Sequence, residues 1–173
     1  MDAEGRETMS IINLSAETKV IGGIGIVTLV ILIGGVFLLS SQDKAASSIP
    51  PERIVSNNGL HWHPRLEIYI KGKKQEIPTG IGLTGSIHQE MHTHDEDAKD
   101  GVIHMEMKGI VTKDETKLFN FFKIWGKEFN STQIFDKKNS KEGKVMMIVN
   151  GQESKVFENY QMQEGDIIEI RYE

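Results

Sequence analysis

Residues 20–39 read VIGGIGIVTLVILIGGVFLL, a run without a charge and with Thr28 as its one polar side chain. As an α-helix such a run reaches about 30 Å, the thickness of the hydrocarbon layer of a bilayer. A helix buried in a soluble core would show a polar face and would lie within the domain sequence, whereas this run stands ahead of a polar stretch. It reads as a transmembrane anchor, with the lipid bilayer as the partner of residues 20–39. A cleavable signal peptide has a shorter apolar region behind a basic stretch. Residues 1–19, MDAEGRETMSIINLSAETK, form an acidic tail instead, so the anchor is expected to stay uncleaved although Ala45 and Ala46 follow it.

Charge alone leaves the orientation tied, because Arg6 and Lys19 before the span face Lys44 and Arg53 after it. A short tail ahead of a single apolar span is the usual form of a signal anchor. The expectation is a single-pass membrane protein with its tail inside and its soluble domain extracytoplasmic. Residues 40–59, SSQDKAASSIPPERIVSNNG, are rich in Ser, Asn and Pro and lack apolar periodicity, so they read as a flexible spacer. Residues 60–173 remain, enough for one compact domain.

Several function classes drop out on composition. The 20 Lys and Arg are scattered among 25 Asp and Glu, for a net charge of -5, so nucleic acid is not expected as a partner. The chain has no cysteine, which removes disulfides, thiolate catalysis, zinc ribbons and iron-sulfur ligation together. Imidazole, carboxylate and thioether are left as the side-chain metal ligands.

The soluble part reads as an α+β domain. Leu66, Ile68 and Ile70 alternate with Glu67, Tyr69 and Lys71, the period of a half-buried strand, here starting near His61. Lys71-Gly72-Lys73 turns the chain into a short second strand ending before Pro78. Residues 79–101 read as an extended loop with a brief strand at 90–94, and strand character returns at 102–108. Thr112 and Glu115 have capping-box spacing, Leu118, Phe119, Phe122 and Trp125 share one helical face, widened by Phe121 and Ile124, and Gly126 is the stop. Residues 145–149, the Asn150-Gly151 turn and the segment after it read as a hairpin, and Ile167, Ile168 and Ile170 mark a closing strand. The order predicts a small roll with a mixed sheet packed on one helix.

All six histidines lie between His61 and His104. His61 and His63 form one His-x-His pair, His92 and His94 a second, and His104 with Glu106 repeats the spacing with a carboxylate. On a strand, residues i and i+2 point to the same face, so each pair offers two ligands to one ion. Strands lying side by side would let His61, His63, His92, His94, His104 and Glu106 converge on a copper or zinc ion. His88 reads as a surface residue. Asp95, Glu96, Asp97 and Asp100 read as a solvated acidic loop, with Asp95 able to orient an imidazole. Met91, Met105 and Met107 could supply thioethers for Cu(I), but they alternate with the histidines and should face the opposite side, into the core.

The segments HWHPRLEIYI, MHTHDEDAKDGVIHME, FFKIWGKEF and EGDIIEIRY together resemble a family of uncharacterised membrane-anchored prokaryotic proteins. Their shared pattern is roughly His-x-His-Pro, Leu-His-Thr-His-Asp and Gly-x-Ile-His-x-Glu. This chain departs from it in having Met91 at the leucine and a longer acidic stretch after Asp95. The ending VNGQESKVFENYQMQEGDIIEIRY resembles the last strands of β-grasp domains. That likeness implies fold alone, since Arg171-Tyr172-Glu173 is not the Gly-Gly motif of the carrier proteins. Three functions are in play: a module that captures, buffers or delivers a metal ion, an interaction domain of a membrane complex with a structural metal site, and a small histidine-ligated hydrolase or hydratase with Glu106 as base. The first is favoured.

Overall fold

The computed structural model describes residues 49–173. The expected anchor, the tail before it and the first part of the spacer lie outside them. Among the described residues no helix is long and apolar enough to cross a membrane. Among the described residues the fold is α+β, mostly sheet with one α-helix.

The main strands are β1 (Leu60–Trp62), β2 (Arg65–Ile70), β3 (Lys73–Gln75), β4 (Met91–His92), β5 (His104–Met107), β6 (Val145–Val149), β7 (Gln152–Glu153) and β8 (Ile167–Tyr172), with the helix α1 (Leu118–Trp125) between β5 and β6. A five-stranded sheet runs in the order β7-β6-β8-β2-β3. Its neighbours are antiparallel except β8 and β2, which run parallel from Ile167 opposite Arg65 to Tyr172 opposite Ile70. Leu66, Ile68, Met147, Ile168 and Ile170 line its buried face. Its other face carries a polar network in which Lys74 and Tyr69 both donate to Glu67, as the period of two requires.

A second, three-stranded sheet has the order β1-β5-β4, so the His104 strand lies in the middle. The single strand expected from His61 to Lys71 is divided. Pro64 has no N–H to give to a ladder, and after it the Arg65 amide bonds to the Asp166 carbonyl while Ile103 donates to Pro64. The chain thereby crosses from one sheet to the other directly after the first histidine pair. Buried faces of both sheets and of α1 share one hydrophobic core.

Three further expectations are corrected. The spacer of residues 40–59 is not free along its whole length: Ile54–Ser56 is a strand paired with Val111–Thr112, Arg53 is ion-paired with Asp114, and the β-branched Ile54 and Val55 suit such a strand. Thr112 and Glu115 make half of a capping box: the Glu115 carboxylate accepts from the Thr112 amide and hydroxyl, while the Glu115 amide bonds to the Thr112 carbonyl and not to its hydroxyl. They close a separate turn, however, and α1 begins only after Lys117. Phe119 is 47% exposed and Phe121 is buried, because with the first helical turn at Leu118 the inward positions are 118, 121, 122 and 125. Gly126 ends the helix as expected, at φ 69°. The long loop holds a hairpin of Leu83–Thr84 and Ile87–His88, and Phe129–Asn130, Gln133–Ile134 and Lys137–Lys138 form a small sheet.

Candidate metal centre

Register in the second sheet sets the site. His61 lies opposite Glu106 across β1 and β5, and His92 lies opposite His104 across β4 and β5. All four side chains therefore share one face. The intervening residues share the other face, where Met91, Met105 and Met107 are at most 6% exposed in the core. The thioethers are thus on the far side of the sheet from the imidazoles.

His92 is the most constrained of the set. It is 0% exposed, and its Nδ1 lies 2.8 Å from the Gln89 carbonyl oxygen. A carbonyl only accepts, so Nδ1 carries the proton and the Nε2 lone pair is free to bind. That Nε2 is 3.1 Å from Nε2 of His94. Two donors on a tetrahedral zinc, each at about 2.0–2.1 Å, are separated by about 3.3 Å, so the spacing is close to that of co-ligands. Burial pushes the His92 pKa below its ordinary value, which keeps it in the neutral form that binds metal.

Thr93, between the two histidines, points to the opposite side and is fully buried. Its hydroxyl donates to the Pro78 carbonyl at 2.9 Å and accepts from the Ile81 amide at 3.1 Å, while its backbone exchanges bonds with Gly80 and Ile81. Gly82 follows at φ +74°, and a Cβ there would lie 2.4 Å from the Met91 carbonyl and 3.1 Å from the His92 Cβ. The glycine-rich loop is therefore a close backing for the second histidine pair.

The six expected ligands do not meet at a single point. They form two groups whose ligand atoms lie within 4.8 Å of one another: His92, His94, His104 and Glu106, and separately His61, His63 and His104. His104 belongs to both. Its Nε2 lies 2.9 Å from Oδ2 of Asp97, a carboxylate-to-imidazole contact of the kind that fixes a metal-binding histidine. The other carboxylate oxygen of Asp97 is buried without a partner. Glu106 also lies between the groups, with Oε1 3.4 Å from Nε2 of His61 and 3.9 Å from Nε2 of His92. In the first pair, Glu164 accepts from the His63 amide at 2.6 Å and sits 3.5 Å from its Nδ1.

Three residues escaped the sequence reading. Asp97, not Asp95, is the carboxylate at an imidazole, and nothing in the acidic run distinguishes it. Glu164 is 101 positions from His63, beyond the reach of any local pattern. His88 has its ring centroid 5.2 Å from that of His92 and 5.8 Å from that of His94, so it borders the site, and the histidine clustering itself was the available signal. Compared with protein families, curated proteins and solved structures, the chain matches none.

Proposed function

We propose that this domain captures a divalent metal ion, Zn(II) or Cu(II), through His92, His94, His104 and Glu106, and holds it at the outer surface of a membrane to which residues 20–39 anchor it. The observation that carries the reading is the pre-set donor at His92: a buried, neutral imidazole whose Nδ1–H is committed to Gln89 and whose Nε2 stands 3.1 Å from that of His94. A buried side chain ordered in advance binds without the entropic cost of ordering it later. Burial of Met91, Met105 and Met107 in the core supports Zn(II) or Cu(II) over Cu(I), which prefers thioethers. Four protein ligands fill a tetrahedron, and this favours a holding site over a catalytic one that keeps a position for water. The parallel pairing of β8 with β2 inside a mixed sheet, beside the β2–β3 hairpin, supports the β-grasp-like reading of the fold.

The test uses the full-length chain, purified without a histidine tag in mild detergent, stripped of metal and titrated with Zn(II) against a chromophoric chelator. Tight uptake is expected. His94→Ala should weaken it by at least about 100-fold, since loss of even an outer-shell partner typically costs 10–100-fold. If the wild-type chain takes up no Zn(II) or Cu(II) at micromolar concentration, the reading is wrong. An exchangeable water on the bound ion would move the assignment to the hydrolase or hydratase class.

A further inference from the structure

His104 is common to two groups of ligands, and this inference builds on the metal-capture reading. We propose that the domain has two seats for a single ion, an outer seat of His61, His63 and His104 and an inner seat of His92, His94, His104 and Glu106, and that the ion enters by the outer seat and is passed inward across His104.

Strand order makes the sharing unavoidable. β5 is the middle strand, so His104 and Glu106 have the first histidine pair on one side and the second on the other. The His104 ring centroid is 4.9 Å from that of His63 and 4.6 Å from that of His94, so moving between seats requires no strand to shift. Glu106 follows the same path, since one of its oxygens lies near both His61 and His92. The ion can keep His104 while His61 and His63 are exchanged for His92, His94 and Glu106, with no change of oxidation state.

Occupancy by one ion follows from Asp97. An imidazole bridges two metals only when both of its nitrogens are free, and Nε2 of His104 is engaged by the Asp97 carboxylate at 2.9 Å, leaving one donor atom. Direction follows from exposure. The side chains of His61 and His63 are 60% and 37% exposed, against 15% for His104 and 0% for His92. The outer seat meets solvent first, and the inner one is the better pre-organised and holds the ion more tightly. The outer pair then governs how fast the ion enters and leaves, and the inner pair how firmly it is held.

The experiment follows Zn(II) uptake and its loss to excess EDTA by stopped flow on the full-length chain in mild detergent, with metal-free melting curves to confirm folding. Wild type should bind one Zn(II) per chain. In the His61→Ala/His63→Ala variant, uptake and loss should slow together, by about tenfold or more, whereas ligand loss at a holding site acts mainly on the dissociation rate. Glu164→Gln, which leaves both histidines in place and frees His63 from its carboxylate, should slow both rates to a lesser degree. His92→Ala/His94→Ala should still bind one Zn(II), weakly and with fast exchange. Two Zn(II) per wild-type chain, wild-type rates in the His61/His63 variant, or faster loss in that variant would each overturn the two-seat scheme while leaving metal capture intact. Absence of any uptake by the wild type would remove both.

Discussion

At the scale of single residues, the site depends as much on its anchors as on its ligands. Thr93 is the clearest case, because valine has its shape but neither of its hydrogen bonds. Thr93→Val would leave the Pro78 carbonyl and the Ile81 amide without their buried partner, at a cost of about 1–3 kcal/mol. A lower melting temperature with weaker Zn(II) binding is the expected pair of effects, and a melt with metal absent separates them. His92 gives the metal-free protein a dependence on pH. Its pKa is pushed below 6.5 by burial, and His88, His94, His104 and Glu106 surround it. The unfolded chain takes up this proton near 6.5 while the folded chain resists it, so the stability involved is complete above that pH and is lost as pH falls through the folded value. Melting temperatures between pH 7.5 and 5 should fall, and less steeply in His92→Gln. An equal slope in that variant would assign the effect to other groups. The division of roles on β4 and β5 was legible in the sequence, since alternation alone puts Met91, Met105 and Met107 opposite His92, His104 and Glu106. The roles of Asp97 and Glu164 were not, because they depend on where separate loops come to rest.

At the scale of elements, local signals held where the physics was local. Asn150-Gly151 does make the hairpin turn, with positive φ at both residues, and its Asn side chain is bonded to Asp166 and to the Ile167 amide at the start of β8. Gly126 does stop α1. Strand neighbours are a different matter, since no periodicity tells which edge a strand will join. For that reason the sequence predicts one convergent set of histidines, whereas the fold puts β5 between two sets. The loop backing β4 is the sensitive element. Gly82→Ala places a side chain in a left-handed conformation, at about 1–2 kcal/mol, and drives its Cβ against the Met91 carbonyl. Relief requires β4 to move, so Zn(II) affinity should fall although no ligand is altered. Gly80→Ala, also left-handed at φ +75° but with open space around its Cβ, carries the backbone strain without the clash and is the control: it should lose some stability and retain the affinity.

At the scale of the whole molecule, the apolar span makes the first prediction. The full chain should sediment with membranes and resist carbonate extraction, and its recovery in the aqueous fraction would count against the anchor reading. The mixed sheet imposes a different kind of order. β2, which follows the first histidine pair at once, is bordered by β8 along its whole length, and β8 is made about a hundred residues later. Until β8 emerges from the ribosome, β2 lacks its central neighbour, the Arg65 amide has no Asp166 carbonyl to bond, and His63 lacks its Glu164 partner. Pairings this distant in sequence close late in folding. A chain cut short before β8 would accordingly have its histidines but not the assembled outer seat, and fast metal exchange becomes a certificate that synthesis has passed β8.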